Sequence, residues 1–183
     1  MIHLNFNPFP VLETERLLLR NLREYDKHEM FAIRSNPIAM QYIPRPMAKT
    51  LEDAAALVEL ILGNTERNER INWAITEKGS DKMLGVIGYV GFNTNSARAE
   101  VGYVLNPDCF GKGIGYEALK AVVNYGFEVI GLHSIEAIIR PENRASIRLV
   151  EKLGFVREAY FRDYIYFNGE YLDETVYSLL NQG

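Results

Sequence analysis

Residues 101–119, VGYVLNPDCFGKGIGYEAL, and residues 135–155, IEAIIRPENRASIRLVEKLGF, decide how this chain folds. In the first stretch the hydrophobic period changes. Ala99, Val101, Tyr103 and Leu105 alternate on one strand face. Beyond Gly113 the apolar residues Ile114, Ala118, Leu119, Val122, Val123, Phe127 and Ile130 recur at helical spacing, and Gly131 is a natural C′ stop. In the second stretch Ile135, Ala137 and Ile139 alternate until Pro141. A helix follows over 143–153, with Ile147, Val150 and Leu153 inward and Gly154 as its end. Strand, helix and strand in that order predict a parallel pair joined by a right-handed crossover.

The rest of the chain is read outward from that unit. Ile71, Trp73 and Ile75 alternate with Asn72, Ala74 and Thr76, as a half-buried strand does. The turn Lys78-Gly79-Ser80-Asp81 leads to a strand over 83–92, and a turn over 93–97 leads to the strand at 98–105. An extended apolar segment over 11–19 precedes helices near 24–33 and 51–68, the second capped near Thr50. The proline-rich residues 37–46 read as a long loop. Asn168-Gly169 joins two aromatic-rich strands as a hairpin. An antiparallel meander followed by a β-helix-β step gives an α+β fold with one parallel pair among antiparallel strands.

Composition bounds the function. The chain has 183 residues, and no repeat or linker divides it, so a single domain spanning 1–183 is expected. A chain of this length buries about 70% of its unfolded surface, enough for a core without disulfides. The one cysteine, Cys109, excludes an internal disulfide and fits a reducing, cytoplasmic setting. No run is long and apolar enough for a membrane helix, and the first residues lack the marks of a secretory signal. With 24 acidic and 20 basic residues the net charge is −4, which argues against non-specific nucleic-acid binding. His3, His28 and His133 are scattered and no metal-ligand spacing occurs, so no metal is expected.

The loop Phe110-Gly111-Lys112-Gly113-Ile114-Gly115, followed by Tyr116, lies between a strand and an amphipathic helix. Helix N-termini present free N–H groups and a positive dipole end, which suits a phosphate. Walker A fails because Gly113, not Ser or Thr, follows Lys112. The dinucleotide fingerprint fails because Tyr116 stands where its last glycine would be. The kinase loop fails for want of its HRD and DFG partners. A pyrophosphate cradle of another type survives, beside the plainer reading of a glycine turn that only tightens a helix entry.

Together the two stretches resemble the GNAT superfamily of acyl-CoA N-acyltransferases. TERLLLRNL (14–22) and NGEYLDETVYSLL (168–180) resemble its RimJ/RimL branch, which acetylates N-terminal amines of ribosomal proteins. The resemblance runs from about Leu12 to Leu180. It implies a mostly antiparallel central sheet of about seven strands, with helices on both faces and a splayed parallel pair. It also implies acetyl-CoA as cosubstrate, its pyrophosphate on the N–H groups from Phe110 to Tyr116. The pantetheine arm would lie between the splayed strands, pairing with backbone at Tyr103, Val104 and Leu105 and touching Asn143. Two departures stand out. Phe110 replaces the frequent Arg or Gln, leaving phosphate binding to the backbone. Val150 replaces the Tyr that in many members protonates the leaving thiolate.

Acetyl transfer needs a neutral amine, donors for an oxyanion and a proton for the departing sulfur. An α-amine, with a pKa near 8, asks less of a base than an alkylamine near 10. Glu100 is the first candidate base, on the face opposite Ala99 and Val101; its plainer reading is a surface glutamate. Asn143 and Ser146 share one face of a helix's first turn. Asn143 suits a cap, and Ser146 either relays a proton near the sulfur or merely packs. The oxyanion donor expected is a backbone N–H near Val104 or Leu105. Cys109 reads as a spectator thiol, with a mixed disulfide to CoA as its other reading. Trp73, Tyr89 and Phe92 read as core before cleft. The aromatic residues between Tyr160 and Tyr177 suit a cleft wall, a homodimer face or both. The acceptor favoured is a protein or peptide N-terminus. A small amine (polyamine, amino acid or aminoglycoside) and a non-catalytic acyl-CoA-binding module are the alternatives.

Overall fold

Trp73 and Ala74 are neighbours in sequence, yet they belong to two different cores on opposite sides of one sheet. That split follows from the period-two geometry of a strand. The computed structural model describes residues 1–182. The strands are β1 (Leu12–Glu13), β2 (Leu17–Arg20), β3 (Ile71–Glu77), β4 (Gly85–Asn93), β5 (Arg98–Leu105), β6 (Ser134–Ile139), β7 (Val156–Phe167) and β8 (Glu170–Leu180). They form one eight-stranded sheet in the order β1-β2-β3-β4-β5-β6-β8-β7. Only β5 and β6 run parallel; the other neighbours are antiparallel.

The helices are α1 (Lys27–Arg34), α2 (Pro37–Met40), α3 (Leu51–Glu66), α4 (Ile114–Tyr125) and α5 (Arg144–Lys152). On one side Met30 and Ile33 of α1 and Ala54, Val58 and Ile61 of α3 cover Ala74, Val86 and Val104. On the other, α4 and α5 cover Trp73, Ile75, Ile87, Tyr89, Ala99 and Val101. Each buried Val or Ile here contributes roughly 1.5–3 kcal/mol relative to exposure. Thr50 and Asp53 form a reciprocal capping box at the start of α3.

Three boundaries differ from the sequence reading, each for a local reason. The extended segment over 11–19 is two short antiparallel strands, because Thr14 folds the chain back. Its hydroxyl accepts the Leu17 N–H at 2.9 Å, and its own N–H donates to the Leu17 carbonyl. The proline-rich loop contains α2, with Asn36 as its cap and Pro37 at its first position. The helix after Gly113 is α-helical only to Tyr125. A π-helical turn over Gly126–Ile130 then carries it to Gly131, whose φ of 76° ends it as expected. Asn168 and Gly169 both take positive φ, 50° and 89°, as a tight hairpin turn requires. Among the described residues no helix is long and apolar enough to cross a membrane.

Candidate active site

β5 and β6 are in register at only three positions, Arg98 with Ser134, Ala99 with Ile135 and Glu100 with Glu136. Beyond Glu100 their facing edges make no ladder, so a gap opens between them. β4 carries a bulge between Tyr89 and Gly91, opposite the Val101–Glu100 step where the divergence begins. A cleft of about 470 Å³ fills this region. Glu100, Tyr103, Val104, Asn143 and Ser146 all line it, so five of the residues singled out from sequence meet in space.

Glu100 sits where the strands part. Burial pushes its carboxyl up, and the Glu136 and Glu174 carboxylates push it further, against partial relief from Arg45 and Arg70. Glu174 enters the cleft from β8 and is itself raised by burial. Asn143 caps α5: its side-chain oxygen accepts the Ser146 N–H at 3.1 Å. Val150 is fully buried on the inner face of α5, so no proton donor can act from that position.

Tyr103 is expected to serve through its backbone, but its side chain matters too. Its hydroxyl is buried beside the Ser146 hydroxyl. Burial pushes the phenol up to about 12, and the neighbouring Ser146 hydroxyl offsets part of that effect. No sequence pattern flagged this group, because only the approach of α5 to β5 places it beside Ser146.

The glycine loop stands at the start of α4. The N–H of Phe110 donates to the Pro107 carbonyl at 3.0 Å. The row of donors expected from Phe110 to Tyr116 therefore narrows: the N–H groups of residues 111–116 carry no protein partner among the described residues, and that of Phe110 does. Its ring is half exposed, and Lys112 is exposed beside it. Gly111 and Gly113 have φ of 73° and 78°. Gly115 has a different reason: a Cβ there would lie 3.1 Å from Leu149 and 3.2 Å from Leu105. Leu105 thereby connects the end of β5 to the loop, and Ile114 is buried beneath it.

Two residues that hold the loop escaped the sequence reading. Glu117 accepts from the Thr14 hydroxyl at 2.6 Å and from the Arg16 N–H at 2.8 Å. The Arg16 guanidinium binds Glu117 at 2.7 Å and the Lys112 carbonyl at 3.1 Å. They lie about a hundred positions apart in the chain, so no local signal could reveal them.

The remaining candidates resolve as packing. Trp73 and Tyr89 are fully buried, donating to the Pro10 and Val122 carbonyls. Phe92 is half buried against Phe6 and Tyr89. Cys109 is buried and its thiol is pushed up by burial, which disfavours the reactive thiolate. Of the aromatic strands, Ile165 and Glu174 reach the cleft, while Tyr160, Phe161, Tyr164, Tyr166 and Tyr171 face solvent. No cluster of three or more metal-ligating side chains exists among the described residues.

Comparison with known proteins agrees with this arrangement. A family model described as an acetyltransferase (GNAT) domain matches residues 16–156. The N-acetyltransferase YoaA of Bacillus subtilis is 34% identical over 172 residues, covering 94% of this chain and 97% of its own. Spermidine N(1)-acetyltransferase of Escherichia coli is 28% identical over 154 residues, covering 84% and 80%. RimL, a ribosomal-protein α-N-acetyltransferase solved in complex with coenzyme A, superposes with a TM-score of 0.84. It is 19% identical and covers 93% of this chain and 98% of its own, a likeness of fold.

Proposed function

The chain belongs to the GNAT acetyltransferase family, and from that premise we propose that it moves acetyl from acetyl-CoA to a primary amine by direct attack, preferring the α-amine of a protein or peptide N-terminus. One observation carries the reading. Unpartnered N–H groups at residues 111–116 adjoin a parallel strand pair that parts at Glu100, and the gap holds Glu100, Tyr103 and Ser146. An anion cradle packed against the end of a strand that borders an unladdered backbone gap fits a pyrophosphate joined to an amide-bearing arm.

When bound, acetyl-CoA supplies the activated acetyl thioester. The backbone of Gly111, Lys112, Gly113, Ile114, Gly115 and Tyr116 holds the diphosphate, and the Phe110 ring flanks it. The free edge at Tyr103, Val104 and Leu105 pairs with the arm, and one of its N–H groups faces the carbonyl oxygen where charge develops. Asn143 spends its side-chain oxygen on the Ser146 N–H, which leaves its amide nitrogen to donate to the arm. Glu100 accepts the proton of the attacking amine, directly or through one water; a raised carboxyl is the stronger base for that task. Ser146 and Tyr103 present hydroxyls to the departing sulfur in place of the residue lost at Val150. No acyl-enzyme is involved, since Cys109 is buried with a raised thiol and has no histidine partner in the site. A reducing, cytoplasmic location belongs to the same reading.

The acceptor preference rests on the RimJ/RimL resemblance and on the lower demand an α-amine makes of Glu100. The similarity to the spermidine enzyme favours a second reading, in which a small amine takes that place. Release of free CoA thiol from acetyl-CoA separates them. The panel holds N-terminal peptides, spermidine, aminoglycosides and free amino acids. Turnover confined to α-amines is the expected result. Turnover confined to spermidine would move the function to the second reading.

A further inference from the structure

More cationic than anionic side chains line the cleft. Three guanidinium groups line it, those of Arg34, Arg45 and Arg140, against two carboxylates, Glu100 and Glu174. Arg140 has a partner, Glu142 at 3.3 Å. Neither Arg34 nor Arg45 forms an ion pair among the described residues. Arg34 projects from the last turn of α1, and its guanidinium meets the Met40 sulfur at 3.7 Å. Its Nε is buried without a partner. Burial and the Arg45 charge both disfavour its protonated form. A guanidinium with a buried Nε and spare donors, beside a second one outside any ion pair, suits an anionic group.

The cosubstrate's phosphates do not supply that anion, because the glycine loop that suits them is not among the residues lining the cleft beside Arg34 and Arg45. The acceptor, entering beside the arm, is the other molecule the cleft receives. We infer that the acceptor is a primary amine accompanied by a side-chain carboxylate, on its own residue or the next, with Arg34 and Arg45 binding that carboxylate while Glu100 receives the amine. The inference rests on the proposed acetyl transfer and deepens it. It makes Arg34 and Arg45 specificity residues, the guanidiniums taking the acid while Glu100 takes the amine. Both a free dicarboxylic amino acid and an acidic N-terminal peptide carry this chemistry. A polyamine carries no group for Arg34 and brings further positive charge to it.

The test uses matched pairs that differ in charge alone: aspartate with asparagine, glutamate with glutamine, and Ser-Glu with Ser-Gln peptides, beside spermidine. Turnover is measured by CoA thiol release. Binding of the same compounds is measured separately by calorimetry on the protein saturated with CoA. The acidic member should be favoured at least about tenfold in both readouts, the range of a charge-assisted hydrogen bond. Arg34→Gln should bring the ratio close to one while acetyl-CoA affinity stays unchanged. Arg45→Gln, at an exposed position, should lower it without threatening the fold. Which pair responds, amino acid or peptide, identifies the source of the carboxylate. Equal treatment of the pairs, a preference for spermidine, or a charge ratio that survives both substitutions would overturn the inference. An equal loss of acetyl-CoA affinity in Arg34→Gln would also overturn it. Selective binding of acidic members without turnover would uphold the anion site and instead sink the proposed acetyl transfer.

Discussion

The Arg16 guanidinium meets the Glu117 carboxylate at 2.7 Å, which fastens the N-terminal strand pair to the first turn of α4. The same guanidinium holds the Lys112 carbonyl, so one side chain braces the loop whose N–H groups carry no protein partner among the described residues. Glu117 is expected to act as a positioning residue. Arg16 is half exposed, so the ion pair alone is worth about 0.5–1 kcal/mol. Glu117→Gln should weaken acetyl-CoA binding by a few-fold, measured by calorimetry, with a small loss in Tm. Burial pushes the Glu117 carboxyl up, but the Thr14 hydroxyl, the Arg16 N–H and the Arg16 guanidinium together hold it below its ordinary value. Its stabilisation is thus complete above about pH 4.5. It is lost as pH falls through the depressed folded value. Urea midpoints of wild type and variant should converge in acid and separate at neutral pH.

Gly113 tests the cradle. Its φ of 78° lies in the left-handed region, and a Cβ there would sit 3.2 Å from the Arg16 guanidinium. Gly113→Asp puts a negative charge where a phosphate is expected, at about 1 kcal/mol of backbone strain. Acetyl-CoA affinity should fall by well over tenfold, with the circular dichroism spectrum unchanged. Near-normal affinity would remove the cradle from residues 111–116.

Glu100→Gln should lower kcat/KM by about 10²–10⁴ while leaving acetyl-CoA affinity intact. The pH profile gives the sharper test. A base works unprotonated, so activity should rise with pH through the Glu100 titration. That limb should lie above the ordinary carboxylate range, because burial and the Glu136 and Glu174 charges favour the protonated form. It should vanish in Glu100→Gln. In Glu136→Gln it should move to lower pH, since one repelling charge is gone.

Tyr103→Phe separates a catalytic hydroxyl from a structural one. The Tyr103 hydroxyl is buried beside Ser146 and makes no well-formed hydrogen bond, so its removal should change stability by no more than about 1 kcal/mol. If the hydroxyl serves the departing sulfur, kcat should nonetheless fall by about tenfold or more, with acetyl-CoA affinity preserved. Ser146→Ala should show the same pattern, and the double variant should lose less than the sum, as expected of groups sharing one proton path. Unchanged kcat in both single variants would return the pair to packing.

Local pattern alone reached far into this protein. The alternation at Ile71, Trp73 and Ile75, the switch of period across Gly113 and the stops at Gly131 and Gly154 are consequences of which residues can share a face. They define the meander, the parallel crossover and the glycine loop without recourse to any long-range contact. The cap at Asn143 was equally legible, because capping is settled within three residues. The fold-back at Thr14 was not, since it depends on one hydroxyl taking the place of a strand partner. Long-range encounters were out of reach altogether. Arg16 meets Glu117, the Tyr103 hydroxyl is buried beside Ser146, and Arg34 faces the same cleft as Glu100 only because the sheet and its two helical layers bring distant segments together. Sequence determined where a glycine loop meets a helix N-terminus. Tertiary structure decided which charges surround the cleft, because burial and charge proximity, unlike periodicity, are properties of the packed chain.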